Sequence, residues 1–337
     1  VTSPAPFVAR GSGFSDRESA GPAALAPSPV EGRGAGFGVL GRFVSEAGVS
    51  DVFVNPDGTV WCDRGRGAEW AEGIRIPAGE ARDLAVRLIA LGGRHVDEAT
   101  PCVDVRLGAG VRVHVVLPPV ATGGPVISIR LQRERPISFD ELDAHSFFAA
   151  VDADRVRELV LRRAKLLITG AGGSGKTTLL GALLALAPSD ERIVVIEDVA
   201  ELQIAHPHVV ALESRQPNLE GAGGIGLDRL VREALRMRPD RLVVGECRGA
   251  EVRELLAALN TGHDGGAGTL HANSLDDVPA RLEALGALAG LSSSALARQA
   301  ASAFDAVLHV ERSPAGRRLA AIGALRLDRR GRLAVAV

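Results

Sequence analysis

Two rhythms of apolar residues divide the chain. Between about 37 and 135 the dominant period is two. Val111, Val113 and Val115 alternate with Arg112 and His114, the pattern of a half-buried strand. Val52-Phe53-Val54 and Val60-Trp61-Cys62 flank Asn55-Pro56-Asp57-Gly58, whose residue types favour a hairpin turn. Leu84, Leu88 and Leu91 share one face of a helix expected from about Ala78 to Leu91. Strands are also expected at Val103 to Leu107 and Val126 to Arg130. The pattern predicts a small α+β domain over 37–135 with an antiparallel sheet.

From about 151 the rhythm changes to short apolar runs separated by amphipathic stretches. Strands are expected at 166–169, 192–196, near 209–212 and at 242–244. Helices are expected over 153–164, 227–237 and 250–260, near Asp277, and after Ser292-Ser293-Ser294. Val307 to Val310 and two further short runs read as strands closing the sheet. Such alternation predicts an α/β domain over 151–337, with a mostly parallel sheet covered by helices on both faces. Between the two lies a linker, 136–150, where Ser138-Phe139-Asp140-Glu141 has the form of a capping box. Residues 1–36 carry Pro4, Pro6, Pro22, Pro27 and Pro29 and build no apolar face, so a disordered tail is expected.

Composition narrows the classes. Hydrophobic residues make up 46% of the 337, enough for two cores. The net charge of -2 gives no global drive toward nucleic acid, and 3% aromatics without Tyr leave few platforms for base stacking. Cys62, Cys102 and Cys247 form neither a disulfide framework nor a zinc pattern, which favours a reducing cytoplasm. The start has no basic segment followed by an apolar core, so no signal peptide is expected. The longest apolar run, near Leu179 to Ala187, is too short to span a bilayer. Any membrane association is therefore expected to be peripheral, through a partner.

The strongest chemical signal follows the strand at 166–169. Gly170-Ala171-Gly172-Gly173-Ser174-Gly175-Lys176-Thr177-Thr178 matches Gly-x-x-x-x-Gly-Lys-Thr in its required setting of strand, loop and helix. Small residues let backbone N–H groups ring a triphosphate, and the following helix aims its positive end at the anion. Lys176 would reach the β- and γ-phosphates of ATP, and the Thr177 hydroxyl would ligate Mg²⁺.

Further polar groups are expected at strand ends, where ligands bind parallel sheets. Glu197, Asp198 and Glu201 follow the strand at 192–196 and could polarise a water and help hold Mg²⁺. Glu246 ends the strand at 242–244 and is the first candidate for orienting an attacking water. His263 and His271 sit in a Gly-rich stretch with Asp264 and Asn273, which marks a site for nucleotide sensing or, less favoured, for metal. Arg112 and Arg130 of the first domain are ordinary surface charges unless one is delivered onto the γ-phosphate, where it would stabilise transition-state charge.

Taken together these stretches resemble the secretion-system traffic ATPases, which power type II and type IV secretion, type IV pili and archaeal-type filaments. The likeness covers about 40–330 and includes four motifs in order. They are the Walker A loop, an "Asp box" from Ile196 to Leu202, a Walker B ending at Gly245-Glu246, and a "His box" from Gly262-His263 to Leu270-His271. Leu235-Arg236-Met237-Arg238-Pro239-Asp240-Arg241 adds a specific match. Leu117-Pro118-Pro119-Val120, Ser128-Ile129-Arg130 and Thr269 to Ser274 look most like the tight-adherence (Flp) pilus, CpaF-like branch.

The resemblance implies a RecA-like second domain, with the nucleotide between the two domains. It implies a hexameric ring in the cytoplasm, docked on an inner-membrane platform protein. It assigns water activation and metal positioning to Glu201 and Glu246. His263 and His271 would couple the γ-phosphate to movement, and Arg112 and Arg130 would reach the nucleotide. Two other readings are a nucleotide-gated scaffold with little hydrolysis and a RecA-like nucleic-acid motor, the second disfavoured by charge and composition.

Overall fold

The computed structural model describes residues 34, 36–131, 135–215, 222–313 and 316–337. Most of the expected tail (1–33 and 35) and residues 132–134 at the end of the expected first domain lie outside the described residues.

The first sheet contains β1 (Asp51–Val54), β2 (Thr59–Asp63), β3 (Ala68–Arg75), β4 (Cys102–Leu107), β5 (Val111–Val116) and β6 (Val126–Leu131). Their order is β3-β2-β1-β6-β5-β4, and every neighbouring pair is antiparallel. One face is the core. Val52, Val54, Val113, Val115, Ile127 and Ile129 are buried there with Leu84, Ala85, Leu88 and Ile89 of helix α1 (Ala78–Leu91). The other face carries Arg112, His114 and Arg130, as the alternation requires.

Strand β3 does not stand out in the sequence. It is an edge strand exposed along most of its length, held by backbone pairing to β2 rather than by burial, so it lacks a clean alternating pattern.

The second region begins with helix α2 (Phe139–Ala144), whose capping box is formed. Ser138 Oγ accepts the Glu141 N–H at 3.2 Å, and the Glu141 carboxylate accepts the Ser138 N–H at 2.8 Å. There follow α3 (Ala153–Leu161), β7 (Leu166–Gly170), α4 (Lys176–Leu184), β8 (Ile193–Glu197), β9 (Val209–Glu213) and α5 (Leu227–Leu235). After them come β10 (Arg241–Cys247), α6 (Glu251–Leu259), β11 (Ala267–His271), α7 (Val278–Leu288) and α8 (Ser293–Ala303). The chain closes with β12 (Ala306–Ser313), β13 (Gly316–Leu327) and β14 (Leu333–Ala336).

The sheet order is β14-β13-β12-β7-β11-β10-β8-β9. Strands β12 to β9 in this order are parallel, and β13 and β14 add antiparallel edges.

Period two within the buried strands splits the side chains between two helical layers. Leu167, Val194, Ile196, Leu242 and Val244 pack toward α5, α6, α7 and α8. Leu166, Ile168, Ile193, Val195 and Val243 pack toward α2, α3 and α4. Helix α4 is buried on nearly every side, which explains its run of Leu and Ala. The result is an α/β fold with a mostly parallel sheet, preceded by a smaller α+β unit with an antiparallel one.

A buried ion pair ties this layer together. Arg241, 2% exposed, donates Nε–H to Glu191 at 2.5 Å and Nη2–H to the Val160 carbonyl at 2.9 Å. Arg241→Ala leaves the Glu191 carboxylate with the more exposed Arg163, at 3.5 Å, in place of its buried partner. It is expected to lower stability by about 3 kcal/mol, the low end for a broken buried pair, read from urea unfolding.

Candidate active site

Strand register decides which groups meet. Gly170 at the end of β7 lies opposite His271 at the end of β11. Beside β11, β10 carries Glu246, and the β10–β11 register shifts between Val244 and Cys247. The carboxyl ends of three strands thus gather around one turn.

Two glycines shape that turn. Gly170 has φ +152, and a side chain there would meet the Val310 carbonyl at 2.3 Å and Ser174 Oγ at 2.6 Å. Gly175 has φ +105 and is the residue from which α4 starts, with no side-chain cap on the first-turn N–H groups. An anion is the natural partner of such uncapped donors. Ser174 Oγ is fully buried and has no hydrogen-bond partner. Ala171, Gly172 and Gly173 are exposed along the rim, and Thr177 and Thr178 reach solvent from the first turn.

Lys176 is 7% exposed, and its ammonium donates to the Gly170 and Ala171 carbonyls, each at 3.0 Å. Burial lowers its pKa, which Glu246 partly offsets. Lys176 Nζ lies 3.5 Å from His271 Nε2, which lies 2.5 Å from Glu246 Oε1. That last contact is out of hydrogen-bond alignment. Glu246 Oε1 is buried against the His271 ring, and no aligned hydrogen bond to it is formed among the described residues. Burial lowers the His271 pKa, with the Lys176 charge acting in the same direction and Glu246 against it. Arg248 pairs closely with Glu246. Thr269 Oγ1 donates to the Gly245 carbonyl at 2.6 Å, fixing the two strands at this point.

Glu201 is brought to the same region and paired across the two sheets. Arg112 donates Nη1–H to it at 3.2 Å and also contacts Asp104 at 3.5 Å. Arg130, opposite Arg112 on the neighbouring strand, is exposed and donates to Asp51 at 3.2 Å.

Two expectations need correction. Glu197 is 6% exposed, and its Oε1 accepts the N–H groups of Glu201 and Leu202 at 3.1 and 3.0 Å. Through Oε1 it braces its own loop, which ties that oxygen to backbone rather than leaving it open to a metal. His263 lies before β11, whose first residue, Ala267, is opposite Leu166 at the start of β7. It is therefore at the far end of the strand from His271, with its ring 3.1 Å from the Ala258 carbonyl. It does not join the site in this chain.

Burial pushes the Glu197 pKa from the usual 4.5 up to about 7, against the pull of the two N–H groups. The native chain therefore holds this proton to higher pH than the unfolded chain does. Its effect on stability is most favourable below pH 4.5 and is lost as pH rises toward 7. Glu197→Gln keeps an acceptor for both N–H groups but cannot ionise. Unfolding at pH 5 and pH 7.5 is expected to show a smaller loss of stability in the variant than in the parent.

Sequence reasoning passed over Arg248 and Arg317. Arg248 stood beside Glu246 without a stated role. Arg317 sits on β13 and donates Nε–H to the Gly173 carbonyl at 3.0 Å. Only the pairing of β12 with β13 brings it there, so no local pattern marks it.

The fold and this convergence define a phosphate-loop ATPase of the α/β class. Residues 35–311 match the Type II/IV secretion system protein family, and the chain belongs to that family of secretion-system ATPases. It is 49% identical over 298 residues to a putative conjugal transfer protein of Mycobacterium tuberculosis, covering 86% of this chain and 85% of the relative. It is 33% identical over 281 residues to the conjugal transfer protein TrbB of Rhizobium radiobacter, covering 82% and 83%. The solved structure of the pilus retraction motor PilT with bound ADP shares the fold. Its TM-score is 0.60 at 21% identity, covering 86% of this chain and 79% of PilT. Membership carries ATP binding with it. Among the described residues no helix is long and apolar enough to cross a membrane.

Proposed function

We propose that this chain hydrolyses ATP and passes the energy to a secretion or pilus machine in the inner membrane. The observation that carries this reading is the contact series Lys176, His271, Glu246 at the ends of three adjacent strands.

The loop N–H groups and Lys176 would take the β- and γ-phosphates. The Glu246 carboxylate, at the end of β10 beside His271 and near Lys176, is suited to accept a proton from the water attacking the γ-phosphate. His271, kept neutral by its surroundings, would register whether that phosphate is present. Glu201 and Arg112 join the two sheets, and Arg112 would move toward the phosphates when the domains close. Arg130 needs a larger rearrangement to follow.

The residues present fit Mg²⁺. Thr177 reaches solvent from the first turn of α4, and the Glu246 carboxylate acts on the charge of Lys176 in the same turn, so a hydroxyl and a carboxylate, both oxygen donors, stand by the loop. Thr177 would hold the ion directly and Glu246 through water, and the ion would draw charge from the β- and γ-phosphates. Positioning and electrostatics supply most of the rate.

The names of the relatives favour conjugal transfer. The finer reading, a tight-adherence pilus motor, is supported by Leu117 to Val120, Ser128 to Arg130 and Thr269 to Ser274. The working form is a hexameric ring at the cytoplasmic face, held there by a platform protein. Copurification with that membrane protein, and a sixfold mass with ATP, would bear this out. A monomer that ignores the membrane partner would refute it. Strong stimulation of turnover by single-stranded DNA would instead favour a nucleic-acid motor.

A further inference from the structure

The phosphate loop has two flanks. On one, β11 and β10 bring His271 and Glu246. On the other, antiparallel β12 and β13 bring the first residues of β13. Its Arg317 is exposed, donates Nε–H to Gly173 O at 3.0 Å, and has its Cδ 3.3 Å from where a Gly175 side chain would start. Neighbouring Arg318 turns to the opposite face and pairs with Glu311 at 3.2 Å. The hairpin therefore delivers one of its adjacent arginines to the loop and commits the other elsewhere.

Hydrolysis needs the terminal phosphate on the flank of Glu246 and His271. Lys176 Nζ, 3.5 Å from His271 Nε2, also lies toward that flank. A nucleoside triphosphate laid along the loop with its terminal phosphate there extends its nucleoside toward the hairpin. Exposed large aromatics do not serve that end, since Trp70, in the first sheet, is the one among the described residues. A guanidinium offers both a plane that stacks on a purine and N–H donors for the ribose, which a Lys ammonium cannot combine.

We propose that Arg317 is a nucleotide-binding residue. It steadies the outer arm of the phosphate loop through Gly173 and contacts the nucleoside of bound ATP. The proposal rests on the reading of the loop as an ATP site. It makes the β12–β13 hairpin part of the active site, so movement of that hairpin and nucleotide affinity are linked.

The test compares ATP with inorganic tripolyphosphate, which has the phosphates and no nucleoside. In the full chain, Arg317→Ala is expected to raise the KM for ATP and weaken ADP binding about tenfold, with kcat within about twofold. Tripolyphosphate, measured as a competitor, should weaken in the Ala variant by only the part owed to the lost Gly173 contact, severalfold less than ATP. Arg317→Lys keeps a donor for Gly173 and should show a smaller loss for ATP, with none for tripolyphosphate. If the Ala variant does not fold, the Lys variant carries the same comparison. Equal weakening of ATP and tripolyphosphate would reduce Arg317 to a loop brace and overturn the proposal. Unchanged ATP affinity in both variants would overturn it as well, while leaving the ATP site intact. A parent chain that binds neither ligand would remove the ATP site itself, and this role with it.

Discussion

Lys176→Ala is expected to lower ATP turnover by at least about 10²–10³-fold, measured as phosphate release at saturating ATP. The reason is positional. The ammonium is buried and held by the Gly170 and Ala171 carbonyls at 3.0 Å, inside the ring of loop N–H groups. Alanine removes the charge meant for the β- and γ-phosphates and also unties the two carbonyls. ATP affinity should therefore fall together with the rate. Thermal unfolding should change little, since Lys176 packs at the loop and not within the helical layers. Turnover near that of the parent would mean that phosphate transfer does not pass through this loop.

Glu246→Gln separates binding from chemistry. The amide has nearly the shape of the carboxylate but cannot take a proton from water. Turnover should drop about 10²–10⁴-fold while ATP still binds. Two neighbours make the experiment sharper. His271 Nε2 lies 2.5 Å from Glu246 Oε1, and Arg248 pairs with the same carboxylate. Loss of the negative charge removes the pull by which Glu246 raises the His271 pKa, so the imidazole should titrate lower still in the variant. Nuclear magnetic resonance of the ring would register that shift independently of turnover. A nucleotide-gated scaffold would behave differently, with negligible phosphate release in the parent and no further loss in the variant.

Much of the scaffold was legible from side-chain periodicity. Helix α1 falls at Ala78–Leu91 as the Leu spacing requires, and β5 alternates buried and half-buried residues from Val111 to Val116. The phosphate loop was legible because its chemistry is local: strand, glycines, Lys and helix follow one another along the chain.

What escaped depends on distance in sequence. Whether a His beside a strand reaches the site depends on which end of the strand it occupies, and this separates His271 from His263. Whether an acid faces a ligand or its own loop depends on backbone N–H groups that no composition reveals, and this turned Glu197 inward. Strand β3 is held mainly by pairing, with only Ala71 and Ile74 packed against the core, and left no alternating trace. Arg317 reaches Gly173, 144 positions away, through a hairpin whose register is set by the whole sheet.

For Arg112 to reach the phosphates, an ion pair would first have to break. Arg112 joins Glu201 at 3.2 Å, and Arg106 lies 3.8 Å from Glu213, so the two sheets are linked by opposite charges. A cleft of about 430 Å³ beside the second pair is lined by Gly92, Arg94, Arg106, Gly108 and Glu213. It contains no residue of the phosphate loop, and it provides a natural control for where nucleotide goes.

The most direct measurement is a structure of the full chain with Mg²⁺ and a non-hydrolysable ATP analogue. The terminal phosphate is predicted to lie against Lys176 and within one water of Glu246, with the nucleoside toward the β12–β13 hairpin. An analogue seated in the Arg94–Glu213 cleft, or a terminal phosphate pointing away from Glu246, would contradict the account.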